Sequence, residues 1–143
     1  MPIVNDRNAK IVEEFRANAG RVGGYFANQP LVLLHYVGRK SGEEYLAPTA
    51  YLAADGDPST IYVFASAGGR PENPQWYRNV TATGVATVEV GTETYPVTVT
   101  ELKGAERDRV YAEQARRNPG FAEYERNLTG IRTIPVLALS RAA

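Results

Sequence analysis

Six short runs rich in β-branched and aromatic residues, at 31–37, 45–53, 60–65, 85–90, 94–101 and 134–139, constrain the fold of this chain most. Several are joined by tight turn signals. Gly38-Arg39-Lys40-Ser41-Gly42 separates the first two, Asp55-Gly56-Asp57-Pro58 the second and third, and Gly91 the fourth and fifth. Strands that arrive as neighbouring hairpins, without a long helix between each pair, favour an antiparallel sheet over a doubly wound parallel one. Pro96 predicts an edge or a bulge in the fifth run. The simplest architecture is α+β but mainly β: a small barrel of about six mostly antiparallel strands with flanking helices.

The helices have their own punctuation. Asn5 or Asp6 can cap a first helix in which Ile11, Val12, Phe15 and Ala19 recur at helical spacing, and Gly20 stops it. Gly23, Gly24 and Pro30 bound a loop. Residues 75–80 form a short helical piece, with Trp76 and Val80 one turn apart, that is expected to lie across a sheet edge. Residues 105–117 read as a helix whose acidic first turn and basic last turn suit the macrodipole. Asn118-Pro119-Gly120 ends it, and 121–127 form a further short helix.

A chain of 143 residues with 43% hydrophobic content fits one domain spanning 1–143. Sixteen basic residues balance sixteen acidic ones, so no global field gathers nucleic acid, and any anion site is local. The lack of cysteine excludes disulfides and thiol chemistry and suits the cytoplasm. The N-terminal segment lacks a signal peptide's apolar core, and no stretch is long enough to span a bilayer. The first helix could attach peripherally to a membrane, although Glu13 and Glu14 argue against an anionic one.

Three segments can carry chemistry. Arg39, Lys40 and Ser41 place two cations and a hydroxyl between glycines at a strand end, which makes a competent phosphate cradle or a plain solvated turn. Ala65, Ser66, Ala67, Gly68 and Gly69 are small enough for a flat ring to approach the backbone, or they merely turn the chain toward Pro71. Gln75, Trp76, Tyr77, Arg78 and Asn79 set an indole, a phenol and an amide on one and a half helical turns, with Trp76 more often core than site. His35, the sole histidine, reads as a packed ring with one satisfied nitrogen. One histidine cannot build a multi-histidine metal site, and neither Ser41 nor Ser66 has an evident His-acid pair. The chemistry is therefore expected from a cofactor.

In order, Gly38-Arg39-Lys40-Ser41-Gly42, Phe64-Ala65-Ser66-Ala67-Gly68-Gly69 and Asn73-Pro74-Gln75-Trp76-Tyr77-Arg78-Asn79 form a series that resembles the deazaflavin-dependent nitroreductase and quinone reductase family of actinobacteria. The likeness runs from the first helix to Ile134-Pro135-Val136. It implies a split β-barrel, related to barrels that bind flavin mononucleotide (FMN), that binds coenzyme F420. It also implies that Arg39, Lys40 and Ser41 meet the phosphate and oligoglutamate tail. By the same likeness Tyr45, Leu46, Ala47, Pro48, Thr49 and Ala50 line the cofactor. Phe64, Ala65, Ser66, Ala67 and Gln75 to Asn79 flank its ring and ribityl chain.

Two cations common in the family are replaced here, by Tyr45 and Ala67. At positions where nitroimidazole-reducing relatives carry tyrosines, this chain has Asn118, Phe121 and Tyr124. These differences point to a quinone or a similar conjugated acceptor over a nitro compound. The leading expectation is hydride transfer from reduced F420 to an electron-poor small molecule, with Ser66 or Tyr124 stabilising the charge that develops on the acceptor. The alternatives are a barrel that binds the cofactor or an aromatic ligand without turnover, and an FMN-dependent reductase. Either a monomer or a homodimer is compatible with an open barrel edge.

Overall fold

The computed structural model describes residues 2–24 and 29–142. The predicted loop between Gly23 and Pro30 lies partly outside these residues, at 25–28. The elements are α1 (Asp6–Ala17), β1 (Leu31–Val37), β2 (Glu44–Ala53), β3 (Thr60–Phe64), α2 (Gln75–Thr83), β4 (Val85–Val90), β5 (Glu93–Glu101), α3 (Gly104–Arg117), α4 (Pro119–Asn127) and β6 (Val136–Arg141). The strands close into an antiparallel barrel in the order β1-β2-β3-β6-β5-β4.

Strand alternation divides the apolar residues between the inside and two outer layers. Val32, Leu34 and Tyr36 of β1, Ile61 and Val63 of β3, and Leu137 and Leu139 of β6 share the interior with Val88 and Val97. Outside, Leu31 and Leu33 pack with Leu46 on Val12 and Phe15 of α1. Burying a phenylalanine such as Phe15 contributes about 1.5–3 kcal/mol to that docking. On another side, Phe64 and Val136 meet Val110 and Tyr111 of α3 and Phe121 of α4. Because β1 and β3 are covered on both faces, they read as continuous apolar runs.

Several boundaries differ from expectation. α2 packs against β1, β4 and β5, each paired on both sides, and not across a sheet edge. Trp76 and Val80 pack into the interior cluster instead. Pro96 pairs with Thr87, and its carbonyl accepts from Ala142 just past the β5–β6 ladder, so its missing N–H falls where β6 has ended. β6 starts two residues later than predicted, since Pro135 lacks a donor and the Ile134 carbonyl is taken by Arg107. β3 stops at Phe64 because the Ala65 N–H turns to the Pro135 carbonyl. Pro119 opens α4 as well as ending α3: it stands in the first turn, and the Asn118 side chain caps it by accepting from the Gly120 N–H.

His35 engages both ring nitrogens, where one was expected. Nδ1 lies 2.9 Å from Glu44 and Nε2 2.6 Å from Glu89, and Arg16 of α1 holds Glu89 at 2.7 Å. The cluster ties α1 to β1, β2 and β4. No helix among the described residues is long and apolar enough to cross a membrane.

Candidate active site

β2 runs on past the end of β3. Their pairing begins at Tyr51 with Val63, so residues 44–50 are laddered to β1, and on the other edge, among the described residues, only Ile3 bridges, at Tyr45. Beyond that bridge an edge with free main-chain groups extends through Pro48, which has no N–H to leave unpaired. Alternation splits the predicted lining residues. Leu46 is buried against α1, Ala47 turns toward the barrel interior, and Ala50 packs on the α3/α4 side. Thr49 is buried and Pro48 half-buried.

At the β1–β2 connection the Gly38 N–H donates to the Glu43 carbonyl and the Gly42 N–H to the Gly38 carbonyl. Gly38 has no room for a side chain: an added Cβ would stand 2.6 Å from Ser41 Oγ and 3.0 Å from the Tyr45 ring. That ring stacks on Tyr36 with centroids 5.4 Å apart. Ser41 Oγ accepts from the Glu43 N–H, which fixes the turn and leaves its own proton available. Asn79 reaches across from α2. Its Oδ1 accepts from the Arg39 main-chain N–H and from Arg39 Nη1, while its Nδ2 donates to the Gln75 carbonyl.

The guanidinium of Arg39 is therefore steered by a neutral amide, and its charge stays uncompensated. Lys40 and Arg78 are exposed and make no ion pair with any described residue. Arg39 and Lys40 on the turn and Arg78 on α2, next to Asn79, have no carboxylate bonded to them among the described residues. This arrangement can hold a polyanion. Gln75 is also exposed, next to Tyr77, whose hydroxyl donates to Glu101. Burial, then the Glu101 carboxylate, push the Tyr77 phenol up to about 12, so it is no acid at neutral pH.

The second part of the site follows β3. Ala67, Gly68 and Gly69 all take positive φ values, of 50°, 63° and 83°. Ala67 is the costly one, being a non-glycine in the left-handed region. Gly69 is required there: a Cβ would lie 2.8 Å from the Tyr124 ring. This contact sets Tyr124 of α4 against the loop that carries Ser66. The Ser66 hydroxyl has no hydrogen-bond partner among the described residues and is free to donate. Phe64, Ala65, Trp76 and Phe121 are buried, Ala65 and Trp76 in the interior cluster and Phe64 and Phe121 in the cluster with α3. Phe64 and Phe121 meet edge to face at 5.5 Å, and Phe121 meets Tyr124 at 5.3 Å.

Sequence reasoning missed Arg132. From the segment after α4 it donates to the carbonyls of Ala65, Ser66 and Arg70 and to Asn73 Oδ1, at 2.8–3.0 Å. Nothing local marks it, because every partner is 59 to 67 residues away in the chain. Two clefts lie elsewhere. One of about 480 Å³ is lined by Arg107, Glu125 and the 129–134 segment, and one of about 390 Å³ by His35, Val37, Val85 and Pro96. Neither contains Arg39, Lys40, Ser41, Ser66 or Tyr124. No group of metal-ligating side chains forms among the described residues.

The 38–42 turn with its cations, the exposed edge of β2 and the small-residue 65–69 loop all belong to one closed antiparallel barrel. Residues 8–141 match the F420H(2)-dependent quinone reductase family, and the chain belongs to that family. It is 30% identical over 131 residues to an F420H(2)-dependent quinone reductase of Mycobacterium tuberculosis strain H37Rv, covering 89% of this chain and 85% of the relative. Among solved structures it is similar to an F420-H2 dependent reductase, with TM-score 0.68 and 32% identity, covering 82% of this chain and 100% of the other. A structure described as a domain-swapped dimer aligns with TM-score 0.68 and 29% identity, over 94% of this chain and 95% of its own.

Proposed function

We propose that this chain carries out the reaction for which its family is named, oxidising reduced coenzyme F420 and reducing a quinone, at the surface between the 38–42 turn and the 65–69 loop. The observation that carries the reading is the set of unpaired cations: Lys40 and Arg78 have no ion pair among the described residues, and Arg39 is held by the neutral Asn79 amide. The residues present fit the group. Arg39, Lys40 and Ser41 would hold its phosphate and glutamate tail, the exposed edge of β2 offers main-chain groups beside Pro48, and Ala67 to Gly69 carry no bulk that would keep a ring away.

When bound, the reduced deazaflavin supplies a hydride, that is, two electrons and one hydrogen. The chain's own work is orientation and charge stabilisation. Negative charge grows on a quinone oxygen as the ring accepts hydride, and the Ser66 hydroxyl, bonded to nothing else described, can donate to that oxygen. Tyr124, whose ring is placed against Gly69, provides a second hydroxyl on that loop's side. A proton from solvent completes the quinol.

Equilibrium titration with F420 and FMN tests the site. The reading expects tight F420 binding that weakens when Arg39 or Lys40 is replaced by Ala, and weak FMN binding. Equal affinity for the two, insensitive to both substitutions, contradicts it. A homodimer is supported by the related structure described as domain-swapped, and light scattering at micromolar concentration distinguishes it from a monomer.

A further inference from the structure

We infer that Arg132 is a positioning residue for the reaction, setting the direction of the Ser66 side chain by gripping the peptide planes on both sides of it. The inference rests on the proposed placement of the acceptor beside Ser66.

The Ser66 Cβ points where the two adjoining peptide planes send it. Arg132 Nη1 donates to the Ala65 carbonyl at 3.0 Å and Nη2 to the Ser66 carbonyl at 2.8 Å, so both planes are fixed by one planar group. The same guanidinium donates through Nε to the Arg70 carbonyl at 3.0 Å and through Nη1 to Asn73 Oδ1 at 2.8 Å. It therefore spans the loop from its first residue to the approach of α2.

The loop needs such a brace. It has three successive positive-φ residues, one of them Ala67, and no regular ladder holds it. Left-handed backbone at a non-glycine persists only where the surroundings over-determine it. Among the described residues its other restraints are the Ala65 N–H on the Pro135 carbonyl, short-range bonds within the loop and the Gly69 contact with Tyr124. Arg132 is itself anchored. Two residues on, the Ile134 carbonyl is held by Arg107 Nε and Nη2, at 3.1 and 2.7 Å, and Arg107 is a buried residue of α3. A lysine could replace it only in part, since one ammonium cannot reach four acceptors laid out along a fork.

The test compares wild type with Arg132→Met, Arg132→Lys and Asn73→Ala. It reads kcat and KM for menadione with reduced F420, F420 affinity by fluorescence titration, thermal melting, and amide ¹H–¹⁵N spectra of the coenzyme-free protein. Arg132→Met should lower kcat roughly 10- to 100-fold, the scale of a misplaced reacting group, while F420 affinity hardly moves. The amide signals of residues 66–69 should shift or broaden while those of β1 and β4 stay in place. Arg132→Lys should recover part of the lost kcat, and Asn73→Ala should lower kcat more mildly.

Wild-type kcat in Arg132→Met overturns the inference, as does a loss of kcat matched by the loss of folded protein. If Arg132→Met does not fold, Arg132→Lys and Asn73→Ala decide: unchanged kcat and unchanged 66–69 amides in both overturn it. A wild-type protein that fails to oxidise the cofactor removes the reading on which the inference rests. That failure shows in the unmutated chain, so the two are told apart.

Discussion

Asn79 Oδ1 accepts two hydrogen bonds from Arg39, one from the main-chain N–H at 2.9 Å and one from Nη1 at 3.1 Å. A residue on α2 thus sets both the backbone of the β1–β2 turn and the heading of its first cation. Replacing it separates structure from charge. Asn79→Ala leaves a main-chain donor without its partner, at a cost of about 1–3 kcal/mol, and should weaken F420 binding. Asn79→Asp should keep the turn while cancelling the Arg39 charge, so F420 affinity should fall in a protein that melts near the wild-type temperature. Undiminished F420 affinity in both variants would sever the turn from cofactor binding.

Lys40 contributes charge alone, with no bond to order it. F420 affinity should therefore fall with added salt, and Lys40→Ala should both weaken binding and flatten that salt dependence, because screening acts over about 10 Å at 0.1 M and about 3 Å at 1 M. Parallel slopes for wild type and Lys40→Ala in titrations at low and high salt would place Lys40 away from the anion.

Ser66→Ala removes a hydroxyl that has no structural partner among the described residues. It should lower kcat by roughly 10-fold or more, as loss of one donor to a developing oxyanion does, with little change in melting temperature or cofactor affinity. Unchanged kcat takes Ser66 out of the chemistry.

Gly69→Ala sets a Cβ 2.8 Å from the Tyr124 ring at a φ of +83°. The backbone cost alone is about 1–2 kcal/mol, and the ring must also move. Both melting temperature and turnover should drop. Gly68→Ala meets no atom within 4 Å, pays only the backbone strain of its φ of +63°, and should hurt turnover less. Equal turnover in the two variants would contradict a role for the Tyr124 contact.

The Glu89 cluster predicts the acid response. Burial alone would raise the Glu89 carboxyl, but hydrogen bonds from Arg16 and His35 outweigh it and hold it below the ordinary glutamate value. Arg16 and His35 face it, and Glu44 faces His35 from β2. A carboxyl lowered on folding stabilises the fold fully above its unfolded pKa, and that contribution is lost as pH falls through the lower folded value. Urea midpoints between about pH 6 and about pH 3 should fall more steeply for wild type than for Glu89→Gln, which should start lower. Matching slopes would remove Glu89 from the acid response.

Much of the barrel could be read from the sequence because its cause is local. Runs such as 31–37 carry the alternation that puts Val32 and Leu34 inside and Leu31 and Leu33 on α1, and Asn5 caps the first helix, although it ends at Ala17, short of the predicted stop at Gly20, with the left-handed turn already begun at Ala19. Closure was harder to see. Pro96 pointed to an edge, yet its bare nitrogen is placed beside the end of β6, a matter of register between strands far apart in sequence. The 38–42 and 65–69 segments stood out through glycine and charge. Asn79 stood out as part of the 73–79 segment, but its hold on the turn did not, and Arg132 did not stand out at all, because these bonds span 40 and 59 to 67 residues and leave no periodic trace. His35 was read as a core ring for the same reason, since Glu44 and Glu89 come to it only when the sheet forms.

The most direct measurement mixes reduced F420 with menadione in a stopped-flow instrument, with and without the protein, and follows oxidation of the deazaflavin. The account predicts oxidation well above the protein-free rate, saturating in menadione and slowed by Ser66→Ala. Oxidation no faster than the protein-free control, with F420 nonetheless bound, would contradict it and leave a barrel that holds the cofactor without using it.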